Sequence, residues 1–535
     1  MILTAANLIT KVIGLIFKIP LTNMLGDEGM GYFNTAYQIY TWLYMLSTAG
    51  LPVALSLMIS EFNAQGRSRD SRRIFRLTLL IFSAVGLLGT TAMALFSKNI
   101  ARFISADLSY LCITVISPAL FCVCVSSAVR GYFQGHRNML PTAVSEIIEA
   151  VCKMGIGITL GLYAINKGYP LYQVAAYAIL GVTVGVALGA VFLAVTAAFS
   201  SKNRQPYLAE LAERRSEPEH ISNGKLLKGF LKIAIPVMLS SSLLSMSSML
   251  DTMIIIRRLK ETGLAETAAV ALYGNYTAYC VTLFNLPPVL IYPIVNTLIP
   301  SVSAAKASGN TAKVNLFVEK SLKLSALIAL PCAAGLGVMS EPILKLIFSS
   351  EESASMAAPL LSVLAPSVFL IGIMAVTNAI LQASKKLSYS VFSMLCGAAV
   401  KAALAYVLPL VKIRGQYLNM YAAPLSTMAF YLTITALNIF FIIRQTDIRI
   451  PVFRIFLRPL VAAAFCAVSA AGSYALLIFS FGYHKLFTLI SIGVAAAFYL
   501  LMLILLGGIT KEDIGFLPKG DRILDRFGFL NRILR

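Results

Sequence analysis

The chain has 535 residues, of which 58% are hydrophobic and only 13% charged. A soluble domain carries about 25% charged residues, so this composition excludes a soluble globular protein and calls for a bilayer as solvent. A formal net charge of +21 would point to nucleic acid in a soluble chain, but here the basic residues sit mainly in short loops, where they report topology, and no nucleic-acid partner is expected.

The apolar stretches are long enough for a helix to cross a hydrocarbon slab of about 30 Å. The short alternating strands of an outer-membrane barrel are absent. Every backbone group inside a bilayer must be satisfied within its own segment, so the spans are read as helices. Fourteen are predicted, over 2–22, 33–60, 74–96, 108–130, 140–165, 171–199, 229–256, 268–300, 317–339, 355–382, 386–411, 417–443, 455–479 and 485–507. The first is read as a retained helix, because it lacks the pattern of a cleaved signal.

The predicted fold class is an all-α polytopic membrane protein of about 14 transmembrane helices. An N-terminal six-helix lobe is expected over 1–199, a charged cytoplasmic linker over 200–228 and a second six-helix lobe over 229–443. Two additional helices follow over 444–507, and then a basic tail over 508–535. Most of the 44 Lys and Arg residues lie in the loops after even-numbered spans, in the linker and in the tail. By the positive-inside bias these face the cytoplasm, together with both termini.

Residues 117–160 align without a gap on 365–408, matching Pro118 with Pro366, Gln134 with Gln382 and Lys153 with Lys401. Residues 31–76 align likewise on 272–317, matching Tyr32 with Tyr273, Asn34 with Asn275 and Pro52 with Pro293. Two ordered matches at nearly one offset indicate an internal repeat. With six spans per half, the two bundles are parallel and related by a pseudo-twofold axis along the membrane normal, an architecture suited to alternating access.

Charged side chains at bilayer depth are costly and mark cavities or pairs. Lys11 and Lys18 are seven residues apart and share a helix face, as cavity cations or as snorkelling side chains. Glu146, Glu149 and Lys153 form a second stripe in span five, with Glu149 and Lys153 in the favourable i,i+4 order. That stripe reads as a cavity wall able to change pairing with proton, ion or substrate, or as a permanent ion pair. Lys401 repeats Lys153 in the second half, where Met394 and Gly397 replace the two acids. Two lysines on opposite walls would suit one anionic head group, so Lys11, Lys18, Lys153 and Lys401 are the candidate substrate-binding residues.

Asp251, late in span seven, reads as a cation or proton site or as a partner for Arg257 and Arg258. Tyr37, Tyr40 and Tyr44 are candidate cavity aromatics, with an interfacial belt as the alternative. The eight cysteines lie in apolar segments without zinc-site spacing. His136, His220 and His484 fall in separate loops. No metal or cofactor is therefore expected, and an enzyme acting on lipid-linked sugars is disfavoured because acid–base groups do not cluster.

The stretches Lys11–Gly14, Ile19–Leu21, Gly26–Gly31, Arg130–Gly135 and Asn138–Ser145 resemble the multidrug/oligosaccharidyl-lipid/polysaccharide (MOP) exporter superfamily of MATE-like fold. Within it they resemble the polysaccharide-biosynthesis branch that holds stage V sporulation protein B and the MurJ-like lipid II flippases. The resemblance implies a flippase of a polyprenyl-pyrophosphate-linked glycan in the bacterial cytoplasmic membrane, with membrane lipids and cell-wall synthesis proteins as partners. The driving force would be membrane potential, Na+ or H+. The alternatives are a cation-coupled multidrug exporter of the MATE type, whose cavity would be dominated by acids, and a non-transporting partner of cell-wall or spore-cortex synthesis.

Overall fold

The computed structural model describes residues 2–48, 50–213, 222–413, 415–446, 448 and 451–510. The expected basic tail beyond residue 510 and residues 214–221 of the expected linker lie outside the described residues. The chain forms two compact units, 1–274 and 275–535.

The first unit holds α1 (Ile2–Thr48), α2 (Leu51–Ala64), α3 (Ser68–Leu95), α4 (Ser97–Ile104), α5 (Tyr110–Gly135), α6 (Leu140–Asn166), α7 (Leu171–Glu213), α8 (Asn223–Glu261) and α9 (Glu266–Asn275). The second holds α10 (Val281–Phe284), α11 (Leu286–Ala307), α12 (Thr311–Val338), α13 (Ser340–Ile347), α14 (Glu351–Leu364), α15 (Pro366–Ala383), α16 (Leu387–Val407), α17 (Ala422–Gln445), α18 (Val452–Phe481) and α19 (Lys485–Leu505). Among the described residues the only strand pairing is a minimal hairpin, Lys412–Ile413 against Gln416–Tyr417. Twelve stretches of the described residues are long and apolar enough to cross a membrane, so the protein is an all-α, multi-pass membrane protein.

The spans differ from expectation where glycine and proline act. The first qualifying stretch, Ile9–Ala64, covers the first two predicted spans. In place of a loop, α1 runs through a kink at Gly26, whose φ of 62° and ψ of −171° favour a residue without a Cβ. The second predicted span breaks near residue 50, and α2 restarts with Pro52 in its first turn, where a missing N–H costs nothing. The eighth predicted span is composite: α9 runs into a π-helical turn over Tyr276–Cys280, then α10, then α11 opened by Pro287 and Pro288. The tenth is divided into α14 and α15 at Pro366. The seventh corresponds to α8, which packs against α1, α2, α3 and α4 within the first unit.

Small residues set the closest approaches. On α7, Gly181, Gly185 and Gly189 recur every four residues and lie on α6. A Cβ at Gly185 would stand 2.9 Å from the Glu149 carbonyl oxygen, and one at Gly189 3.2 Å from that of Ser145. A Cβ at Gly181 would collide with the backbone nitrogen of Gly157. Such small-residue stripes let membrane helices meet at backbone distance. In the second unit, Ala462, Ala463 and Cys466 of α18 pack on Ala326 and Leu330 of α12. The Tyr499 hydroxyl of α19 donates to the Leu327 carbonyl at 2.8 Å, so both final helices are anchored on α12.

Candidate functional site: a charged nest in the first unit

The α6–α7 contact determines where the charged stripe of α6 can go. Gly185 of α7 lies against the Glu149 and Lys153 backbone, and the two side chains find their partners on α5 and α1. On α5, Arg130 is 5% exposed. Its Nη2 stands 3.3 Å from Glu149 Oε2 and its Nη1 3.9 Å from Glu146 Oε1. A guanidinium presents several donors in a rigid fork and so can serve two carboxylates at once.

The neighbouring glycines of α5 allow this placement. Gly131 rides on the Pro52 backbone, with a Cβ there 2.9 Å from the Pro52 Cα. A Cβ at Gly135 would meet Ile59 at 2.7 Å. Tyr40 and Tyr44 of α1 face the same charges, with the Tyr44 hydroxyl beside Arg130.

The i,i+4 pair expected between Glu149 and Lys153 does not form. Arg130 takes the glutamate, and the Lys153 ammonium donates to the Tyr37 hydroxyl at 3.0 Å. It also lies 5.0 Å from the Tyr37 ring centroid and 5.7 Å from that of Phe17, an aromatic environment favourable to a cation. Tyr37, Tyr40 and Tyr44 follow one another along α1 at centroid separations of 6.0 and 5.8 Å, so all three face the nest. Lys18 is half-buried and near enough to Lys153 to repel it. Lys11, two turns earlier, is exposed.

Arg257 and Arg258 pair with Glu261. Asp251 is 6% exposed, followed by Thr252, whose hydroxyl meets that of Tyr273 at 2.6 Å. It lies in a polar cluster with Thr252 and Tyr273 within the first unit.

Lys401 is 2% exposed in the second unit. Its ammonium donates to Thr427 at 3.0 Å and stands 5.6 Å from the Phe430 ring centroid. A neutral polar hub lies elsewhere in that unit: the Asn438 amide donates to Asn378 at 2.7 Å and to Thr377 at 3.2 Å, and Ser390 donates to Asn378 at 2.7 Å. The second unit also holds an apolar cavity of about 540 Å³, lined by Leu290, Pro331, Leu336, Met339, Ala496 and Tyr499 among others.

Sequence reasoning missed Arg130 as a site residue, because it stood at the predicted inner end of span four and was read as a loop cation. The helix continues to Gly135, which brings Arg130 inside. The repeat carried the missing signal: the offset that pairs Lys153 with Lys401 also pairs Arg130 with Asn378, so each half holds a polar hub at this position.

The model for polysaccharide biosynthesis proteins matches residues 1–306, more than half of the chain, and the MatE model matches residues 236–407. Stage V sporulation protein B of Bacillus subtilis (strain 168) is 25% identical over 531 residues, covering 98% of either chain. The lipid II flippase MurJ of the same organism is 25% identical over 425 residues, covering 77% of this chain and 76% of its own. Among solved structures, a lipid II flippase MurJ in an inward closed conformation superposes with a TM-score of 0.70 at 13% identity, covering 94% of this chain and 98% of that one. An inward-facing multidrug resistance MATE family transporter of the MOP superfamily gives 0.63 at 15% identity, covering 85% and 94%. The chain belongs to the polysaccharide biosynthesis protein family and shares the fold of these MurJ and MATE structures.

Proposed function

We propose that the protein is a flippase carrying a polyprenyl-pyrophosphate-linked glycan precursor, lipid II or a close relative, from the inner to the outer leaflet of the bacterial cytoplasmic membrane, with both termini in the cytoplasm. The single observation that carries this reading is the division of partners in the nest. Arg130 engages both glutamates, and among the described residues the Lys153 ammonium rests on a phenol hydroxyl and two ring faces. A compact ammonium held by such neutral partners suits a phosphate, as a point charge. Lys18 adds a second positive charge nearby.

The apolar cavity in the second unit is of a size and character to take part of a prenyl chain. The similarity to proteins named for lipid II flipping and for sporulation supports the substrate class.

Binding of lipid II to the purified protein in nanodiscs, followed by native mass spectrometry, tests the reading. A charge-assisted contact is worth about 1.5–3 kcal/mol, so Lys153→Ala should weaken binding by roughly tenfold to a hundredfold. Lys401→Ala should weaken it too if a lysine from each half serves the head group. Wild-type affinity in Lys153→Ala would refute the assignment, and wild-type affinity in Lys401→Ala would leave Lys401 a packing residue.

A further inference from the structure

The nest holds one guanidinium against two carboxylates, and the two are not held alike. Glu149 is the paired acid, at 3.3 Å from Arg130, whereas Glu146 is at 3.9 Å and its Oε2 is buried without a hydrogen-bond partner. Two further buried atoms of the nest are unsatisfied: Arg130 Nε, on a side chain 6% exposed, and the hydroxyl of Tyr40, 4% exposed, which faces Arg130 and Glu149.

The charged and titratable groups around Glu146 come from three helices. They are Arg130 on α5, Glu149 on α6 and Tyr44 on α1, with Tyr40 beside Glu149 and the cations Lys153 and Lys18 further along the nest, while α7 contributes Gly185 and Gly189. Since Lys153 is turned to Tyr37, the Arg130–Glu146–Glu149 group carries one surplus negative charge when both acids are ionised. An uncompensated charge at this depth is costly.

We propose that Glu146 is a proton-binding site, and that a pyrophosphate head group arriving at Lys153 brings one proton onto it. This inference rests on the flippase reading. The proton comes from bulk water and forms an O–H bond on a Glu146 carboxyl oxygen; no other bond changes. Glu149 and Lys153 are one helical turn apart, about 5–6 Å between their Cβ atoms, so an anion at Lys153 adds negative charge beside the surplus one. That raises the cost of an ionised Glu146 and favours its neutral form. By linkage the effect is reciprocal: the proton strengthens anion binding as much as the anion strengthens proton binding. The cargo would thereby enter with its charge partly neutralised, and the proton would leave with it at the outer face.

Calorimetry of lipid II binding in nanodiscs, repeated in buffers of different ionisation enthalpy, counts the protons. The diester pyrophosphate of lipid II does not itself titrate near neutral pH. Wild type should take up about one proton per lipid, and affinity should fall about tenfold per pH unit as the pH rises through the window of uptake. In Glu146→Gln, which mimics the neutral acid, binding should become independent of pH and of buffer. Wild-type binding without proton uptake would overturn the inference while leaving the flippase reading intact, as would uptake that persists in Glu146→Gln. Absence of lipid II binding by the wild type would overturn both. If Glu146→Gln fails to fold, the wild-type stoichiometry alone decides.

Discussion

Lys153 and Arg130 show how much of the site could be read residue by residue. The stripe Glu146, Glu149 and Lys153 was visible because charged residues at helical spacing stand out in an apolar segment. Its partners were not, because i,i+4 geometry on one helix says nothing of a guanidinium arriving from another. The two contacts make separable predictions. Tyr37→Phe keeps the ring over Lys153 but removes the hydroxyl that accepts its hydrogen bond. Lipid II affinity should then shift by no more than roughly tenfold, in contrast to Lys153→Ala. Arg130→Ala strands two carboxylates in the bundle, and breaking a buried ion pair in this way costs about 3–5 kcal/mol. Thermal unfolding in detergent should show a large loss of stability for Arg130→Ala and partial recovery in Arg130→Ala/Glu149→Gln. Equal melting of Arg130→Ala and wild type would mean that the nest contributes nothing to stability.

Helix identity was legible from hydropathy, whereas helix continuity was not. Hydropathy averages over a window, so it cannot tell a loop from a kinked helix at Gly26, or one helix from the composite at Tyr276–Cys280. Local backbone chemistry decides those points, through a positive φ at one glycine and missing donors at Pro52, Pro287 and Pro366. The glycine stripe on α7 was also passed over, since glycines at a spacing of four acquire meaning only once a partner helix is known. Gly181→Val should force α6 and α7 apart at Gly157. Overpacking of this kind costs about 1–3 kcal/mol, seen as a lower melting temperature and weaker lipid II binding as the stripe on α6 is displaced. Gly155→Ala, on the same helix pair but with no atom within 4 Å of the added Cβ, should melt no lower than wild type.

At the scale of the whole molecule, the all-α multi-pass fold is that of MurJ and MATE structures, and two further helices anchor on α12. What the repeat could not convey is how the halves differ. Lys153 and Lys401 are aligned, yet one meets a phenol in the first unit and the other a threonine hydroxyl in the second. Arg130, with its two acids, is matched by Asn378 in a neutral amide hub. At this aligned position the first unit is charged and the second neutral. The proposed orientation makes a further prediction. A cysteine introduced at Asn166, exposed at the end of α6, should react with an impermeant thiol reagent added outside the cell, and one at Ser308 only after the membrane is opened. The reverse pattern would invert the topology.

The most direct test is lipid II translocation in proteoliposomes, comparing wild type, Lys153→Ala and empty vesicles. The account predicts transfer by the wild type well above the empty vesicles and loss of that transfer in Lys153→Ala, with both proteins equally folded. Transfer that survives in Lys153→Ala, or a folded wild type that moves no more lipid II than empty vesicles, would contradict it.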